Sequence, residues 1–165
     1  MSRRLSPSQR TYVPAETRLL SEWIAKFHRD DQVLIHVYVG SIPLEQLGKK
    51  LTQAEIQMLG VRRRWVDAII IYPDHVELIE AKIITTPDVW AQLIHYISLF
   101  PGTPELAQYS RLPVEGVVLT AISDPTITAL MRQHGIKEIV WTPDWIQGYL
   151  ETKGQKYRIA RPVTK

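Results

Sequence analysis

A chain of 165 residues, 45% hydrophobic and 22% charged, has the size and composition of one globular domain able to bury a core. With no cysteine, disulfides, thiolate metal sites and cysteine nucleophiles are excluded, so any metal must be held by oxygen or imidazole, which favours a hard ion. No apolar run approaches a membrane span, and the opening MSRRLSPSQR offers no apolar segment as a secretory signal, so the chain reads as intracellular, a cytoplasmic protein with no membrane partner.

The formal net charge of +3 is unevenly placed. Arg3, Arg4 and Arg10 open the chain, Arg62, Arg63 and Arg64 form a block, and Lys153, Lys156, Arg158, Arg161 and Lys165 close it with no acid after Glu151. Such a surface suits a phosphate backbone, although basic termini also serve solubility alone.

Residues 1–14 read as a basic N-terminal arm, 15–151 as a single α/β domain and 152–165 as a basic C-terminal tail. AETRLLSEWIAKFH, from Ala15, spaces Leu19, Leu20, Trp23, Ile24 and Phe27 for a helix, with Glu16 early and His28 late as the helix dipole favours. VLIHVYVG, 33–40, is β-branched and ends in glycine, a strand. Between Ser41 and Gly60, Thr52 is placed to cap a short helical insertion, QAEIQML. Two strands follow, Trp65 to Ile71 and Val76 to Ile83, then a helix that Thr86 is expected to cap with Pro87 at its first position. GVVLTAI, 116–122, reads as a buried strand. Asp124 and Pro125 start a helix that Gly135 stops, IKEIVW is a last strand, and PDWIQGYLE a last short helix. The fold class is α/β, a central mixed sheet flanked by helices.

DAIIIYPDHVELIEAK, Asp67 to Lys82, carries the chemistry. YPDH fits a type I turn with Pro73 at its second position, which sets Ile71 opposite Val76. Counting back, Asp67 falls opposite Glu80, with Cβ atoms about 5 Å apart on one face. Like charges so placed destabilise a sheet unless one acid keeps its proton or a cation sits between them. Strand period two puts Lys82 on the face of Glu80. Two acids and a lysine are the set that metal-assisted phosphodiester hydrolysis uses: carboxylates hold the ion, and the lysine orients the water or offsets developing charge. Charged strand ends are also ordinary, and Asp74 and Glu77 read as acids that the hairpin tolerates by exposing them.

These residues resemble the PD-(D/E)XK nuclease superfamily, the restriction-endonuclease-like fold. Its motif is similar to Asp67 followed by Glu80-Ala81-Lys82, its αβββαβ core is similar to the element order read here, and the likeness covers most of the chain, roughly from the first helix to the strand ending at Trp141. The resemblance implies Asp67 and Glu80 as metal ligands with the Ala81 carbonyl as a third, Lys82 assisting the attacking water, and magnesium or manganese as the cofactor. In the helix after the motif, VWAQLIHYISLF, Gln92 and Tyr96 lie four apart beside an apolar stripe of Trp90, Leu93, Ile94 and Ile97. Similar Gln-x-x-x-Tyr pairs follow the lysine in RecB-type exonucleases, which implies a positioning role for Gln92, with Tyr96 at the nucleic acid; the alternative is a half-exposed helix flank. Val66 stands where the family has proline. His36 is either the upstream histidine of RecB-type enzymes or a core residue, and Glu16 or Glu22 either an extra carboxylate or a solvent-facing one. His75 and His95 form no zinc spacing.

Two functions follow. One is a magnesium-dependent deoxyribonuclease, an endonuclease or exonuclease, with Arg62, Arg63, Arg64 and the tail on the DNA backbone, acting as a homodimer or within a larger assembly. The other is a non-catalytic DNA- or protein-binding module on the same fold, as in a mobile element or virus particle.

Overall fold

The computed structural model describes residues 14–41, 50, 52, 54 and 64–154. Helix α1 (Pro14–Phe27) leads into strand β1 (Gln32–Val39), the hairpin strands β2 (Arg64–Ile71) and β3 (Val76–Ile84), helix α2 (Val89–Leu99), strand β4 (Val114–Ile122), helix α3 (Pro125–Gln133), strand β5 (Lys137–Val140) and helix α4 (Trp145–Thr152). The strands form one sheet in the order β1-β2-β3-β4-β5. β1, β2 and β3 run antiparallel, while β3, β4 and β5 run parallel. The architecture is therefore α/β, a central mixed sheet flanked by helices, with the expected αβββαβ order through β4. The arm at 1–13, most of the insertion at 41–60, Arg62, Arg63 and the tail from 155 lie outside the described residues.

Both faces of the sheet are covered, which is why the central strands read as nearly continuous apolar runs. On one face Leu19, Leu20 and Trp23 of α1 and Ile146 and Leu150 of α4 pack on Ala68, Ile70, Ile79, Ala81, Val117 and Leu119. On the other, Val89, Leu93 and Tyr96 of α2 and Ile127 and Met131 of α3 pack on Ile69, Leu78 and Val118. Among the described helices none is long and apolar enough to cross a membrane.

Local signals account for most boundaries. Asp124 caps α3 through Oδ1, which accepts from Thr126 N at 2.8 Å and Ile127 N at 3.3 Å, with Pro125 next. Gly135 ends that helix at φ 71°, a left-handed position open to glycine. At α2 the expected cap is corrected: the helix starts at Val89 behind Asp88, with no side-chain cap, and the Thr86 carbonyl accepts the Val89 N–H at 3.3 Å. Pro87 and Asp88 form a turn there instead. The apolar stripe of α2 is also corrected, because its buried side is Val89, Leu93 and Tyr96, whereas Ile94 is 37% exposed. This helix is apolar around much of its circumference, so periodicity alone admits more than one face. After α2 the chain makes two 3-10 turns, Phe100–Gly102 and Pro104–Tyr109, which no periodic pattern announces. Thr103 fastens them to β1: its hydroxyl donates to the Leu99 carbonyl at 3.1 Å and accepts the Gly40 N–H at 2.9 Å.

Candidate active site

The Pro73 turn sets the register as expected, with Ile71 opposite Val76 and the ladder running to Ala68 opposite Ile79. One step further, the same register puts Asp67 across from Glu80. There the main-chain ladder stops, and the Ala81 N–H donates instead to Asp67 Oδ2 at 2.9 Å.

The other side of β2 is distorted at the same level. The β1–β2 pairs skip from Ile35 with Ala68 to Val37 with Val66. Between them His36 has φ 52°, the one positive φ outside glycine among the described residues, an uncommon conformation in which histidine is enriched. Strict alternation would keep Val37 with Val33 and Val66 with Ala68. Instead Val37 and Val66 join the core under α2. His36 itself is exposed and meets Trp65 edge-on, ring centres 6.2 Å apart, so it is not a core residue. The strained position thus lies beside Asp67.

Glu80 is 1% exposed, and Lys82 Nζ lies 3.2 Å from its Oε1 and 3.9 Å from Glu16 Oε2. Of the two helix acids, Glu16 is the one that reaches the lysine. Glu22 is held elsewhere, accepting from Arg18 Nε at 2.7 Å and Trp145 Nε1 at 2.8 Å. Burial alone would lower the Lys82 pKa, but the charges of Glu80 and Glu16, the hydrogen bond to Glu80 and the charge of Asp67 outweigh it and raise the pKa above its usual value. Lys82 is therefore an ammonium that donates and neutralises rather than a base.

Gln92 projects from α2, and its Oε1 is buried without a hydrogen-bond partner among the described residues. Leaving such an oxygen unmatched costs about 1–3 kcal/mol. Tyr96, expected at the nucleic acid, is 1% exposed in the core with Leu93 and Phe100; its ring supports packing. Arg64 opens β2, half-buried and in register with Val39. His95 is exposed on α2.

A second constellation has no counterpart in the sequence motifs. His75, Glu77 and Glu115 each present a ligand atom, all within 4.8 Å of one another. Glu77, expected to be exposed, is 9% exposed. The parallel register sets Glu77 beside Glu115, and Lys137 Nζ bonds to Glu115 and lies 3.5 Å from Glu77 Oε1. Strand spacing shows Glu77, but its meeting with Glu115 depends on the β3–β4 register, which no turn announces.

No protein-family model and no curated protein matches the chain. Among solved structures, it is similar to a protein of unknown function, AF1548, at 12% identity and TM-score 0.47 over 84% of this chain and 66% of that one. It is also similar to a repair endonuclease from Pyrococcus abyssi, at 12% identity and TM-score 0.43 over 82% of this chain and 49% of that one. The chain spans less than two thirds of the length of either.

Proposed function

We propose that the chain is a metal-dependent nuclease of the PD-(D/E)XK type, acting on DNA, with Asp67, Glu80 and the Ala81 carbonyl as ligands of magnesium or manganese. The observation that carries this reading is the Lys82 ammonium, 3.2 Å from a carboxylate that is 1% exposed and within the field of Asp67. It stands where the β2–β3 ladder gives way. A purely structural sheet gains little by burying an ion pair there, since such pairs seldom outdo apolar packing.

The donor set is oxygen alone, which suits a hard divalent ion. When bound, such an ion polarises a phosphate and lowers the pKa of a coordinated water. The chain's own groups do the rest. Asp67 is held in place by its bond to Ala81, Lys82 orients the attacking water or offsets charge on the phosphate, and Glu16 helps hold the lysine. Gln92, with an unmatched buried oxygen, positions these groups. The basic residues Arg62, Arg63 and Arg64 and the C-terminal tail hold the backbone without touching the reaction.

The test is a cleavage assay on supercoiled, linear and single-stranded DNA, with and without magnesium or manganese. Cutting that requires the ion and disappears in Asp67→Asn and Glu80→Gln supports the reading. DNA binding with no cutting of any substrate replaces it with the non-catalytic module.

A further inference from the structure

At the turn end of the β2–β3 hairpin, away from Asp67 and Glu80, we infer a second metal site, in which His75, Glu77 and Glu115 hold a transition ion such as zinc and pin the hairpin turn to β4. It is independent of the proposed nuclease centre. Glu77 and Glu80 are three residues apart on one strand, about 10 Å along it, and strand alternation sends their side chains to opposite faces. Two ions of one catalytic centre stand about 3.5–4 Å apart, so this site does not complete that centre.

Four observations support it. The three ligand atoms come from the turn and two adjacent strands, and lie within 4.8 Å of one another. The imidazole is oriented before any ion arrives: its Nδ1 bonds Asp74 Oδ1 at 2.7 Å, and its ring stacks on Tyr72 with centres 4.4 Å apart. With Nδ1–H donating to Asp74, the lone pair of Nε2 faces Glu77 Oε1 at 3.8 Å. A carboxylate behind a histidine in this way fixes the tautomer and strengthens the imidazole as a ligand. Finally, the charge is unbalanced. Glu77 and Glu115 share one ammonium, that of Lys137, while Asp74 bonds the imidazole, so the two ligand carboxylates keep an uncancelled negative charge for a cation to neutralise.

An imidazole with two carboxylates suits zinc better than magnesium, which keeps its waters and prefers oxygen. Bonds of about 2.0–2.2 Å need ligand atoms within about 4 Å of one another, so the group must close by about 1 Å. Glu115, with a side chain 38% exposed, closes it by leaving Lys137. Lys137 is thus the tethered cation that an ion displaces.

The test is zinc titration of the full chain in an Asp67→Asn background, which removes a ligand of the nuclease centre, read by melting temperature and by zinc bound per chain. The expected result is one zinc per chain and a rise of about 5 °C or more at saturating zinc. His75→Ala and Glu115→Gln should each abolish both, magnesium should not substitute, and Lys137→Met should tighten zinc binding at least threefold. Glu115 and Lys137 are partly exposed, so their variants stay folded even where His75→Ala does not. Zinc binding that survives in Glu115→Gln, or no saturable zinc binding in the Asp67→Asn protein, overturns the site. Neither result bears on the nuclease reading, which rests on cleavage with magnesium.

Discussion

Asp67 replaces a rung of the β2–β3 ladder with its side chain, Oδ2 accepting the Ala81 N–H at 2.9 Å one step beyond the Ala68–Ile79 pair. The carboxylate is therefore fixed by the sheet before any ligand arrives. Ala81 is 1% exposed, so solvent has little access to its N–H and cannot readily take the place of that oxygen.

Two substitutions separate the structural role of this residue from its proposed chemical one. Asp67→Ala strands the Ala81 N–H and is expected to cost about 1–2 kcal/mol in urea unfolding with chelator present. Asp67→Asn keeps an oxygen for the same donor and is expected to cost less than half as much. Magnesium or manganese is expected to stabilise the wild type and neither variant. If Asn costs as much as Ala in chelator, the charge rather than the hydrogen bond holds the strands.

Two glycines give opposite expectations. A Cβ at Gly116 on β4 would stand 2.7 Å from Ile136 Cδ1, 3.2 Å from Ile97 Cδ1 and 3.3 Å from Leu93 Cβ. Gly116→Ala should therefore destabilise by about 1–3 kcal/mol through overpacking between β4 and α2. Gly148 lies within α4, where a methyl group would meet nothing within 4 Å among the described residues, so Gly148→Ala should stabilise by about 0.5–1 kcal/mol. Thermal or urea melts of the two variants check the contrast; like signs refute it.

The hairpin is legible in the sequence because one proline turn fixes a register, and an antiparallel register propagates to every residue on both strands. Hence the level of Asp67 and Glu80 can be counted. The break of alternation at His36 cannot be, since nothing in VLIHVYVG marks a positive φ. Glu16 and Glu22 are indistinguishable by pattern, because both fit a half-exposed side of α1 and only the packing of α1 on β3 decides which one meets Lys82. Tyr96 escapes for a related reason: in a helix this apolar, a tyrosine four residues from a glutamine suits either a flank or the core. The His75, Glu77 and Glu115 group joins a turn to a parallel strand some forty positions on, across a register set by tertiary packing.

Tyr72 provides a spectroscopic check on the turn end of the hairpin. Burial, the charges of Glu77 and Asp31 and a hydrogen bond to Glu77 push its pKa from 10.0 to about 12. Between those values the folded chain keeps a proton that the unfolded chain has lost, so this group makes stability fall as pH rises through that window. In an alkaline absorbance titration of the folded protein, Tyr72 should ionise late, and Tyr72→Phe should remove a late step of the tyrosinate signal. Loss of an early step instead would show that the phenol is not shielded.

Lys82 distinguishes chemistry from stability and from binding. Its partner Glu80 is 1% exposed while its own side chain is 20% exposed, so Lys82→Ala leaves a buried carboxylate facing a partly wetted gap. The expected cost is about 2 kcal/mol, between the exposed and buried limits for breaking an ion pair. The pair's contribution has a sign in pH as well. With the folded pKa raised above the unfolded value of 10.5, it is fully present below that pH and lost as pH climbs through the folded value. The Lys82→Ala melting temperature should therefore fall less steeply than wild type above pH 10.5. Adding Glu80→Gln to Lys82→Ala removes the stranded charge and should restore most of the lost stability, yet restore no cleavage. Turnover of Lys82→Ala should drop at least tenfold, about 1.4 kcal/mol of barrier, while DNA affinity measured in calcium stays near wild type. Replacing Lys153, Lys156, Arg158, Arg161 and Lys165 should do the reverse, weakening affinity and flattening its salt dependence because fewer counterions are released. Cleavage that survives Lys82→Ala unchanged, in a variant whose stability has dropped as expected, would leave the lysine a structural partner of Glu80 and remove it from the reaction.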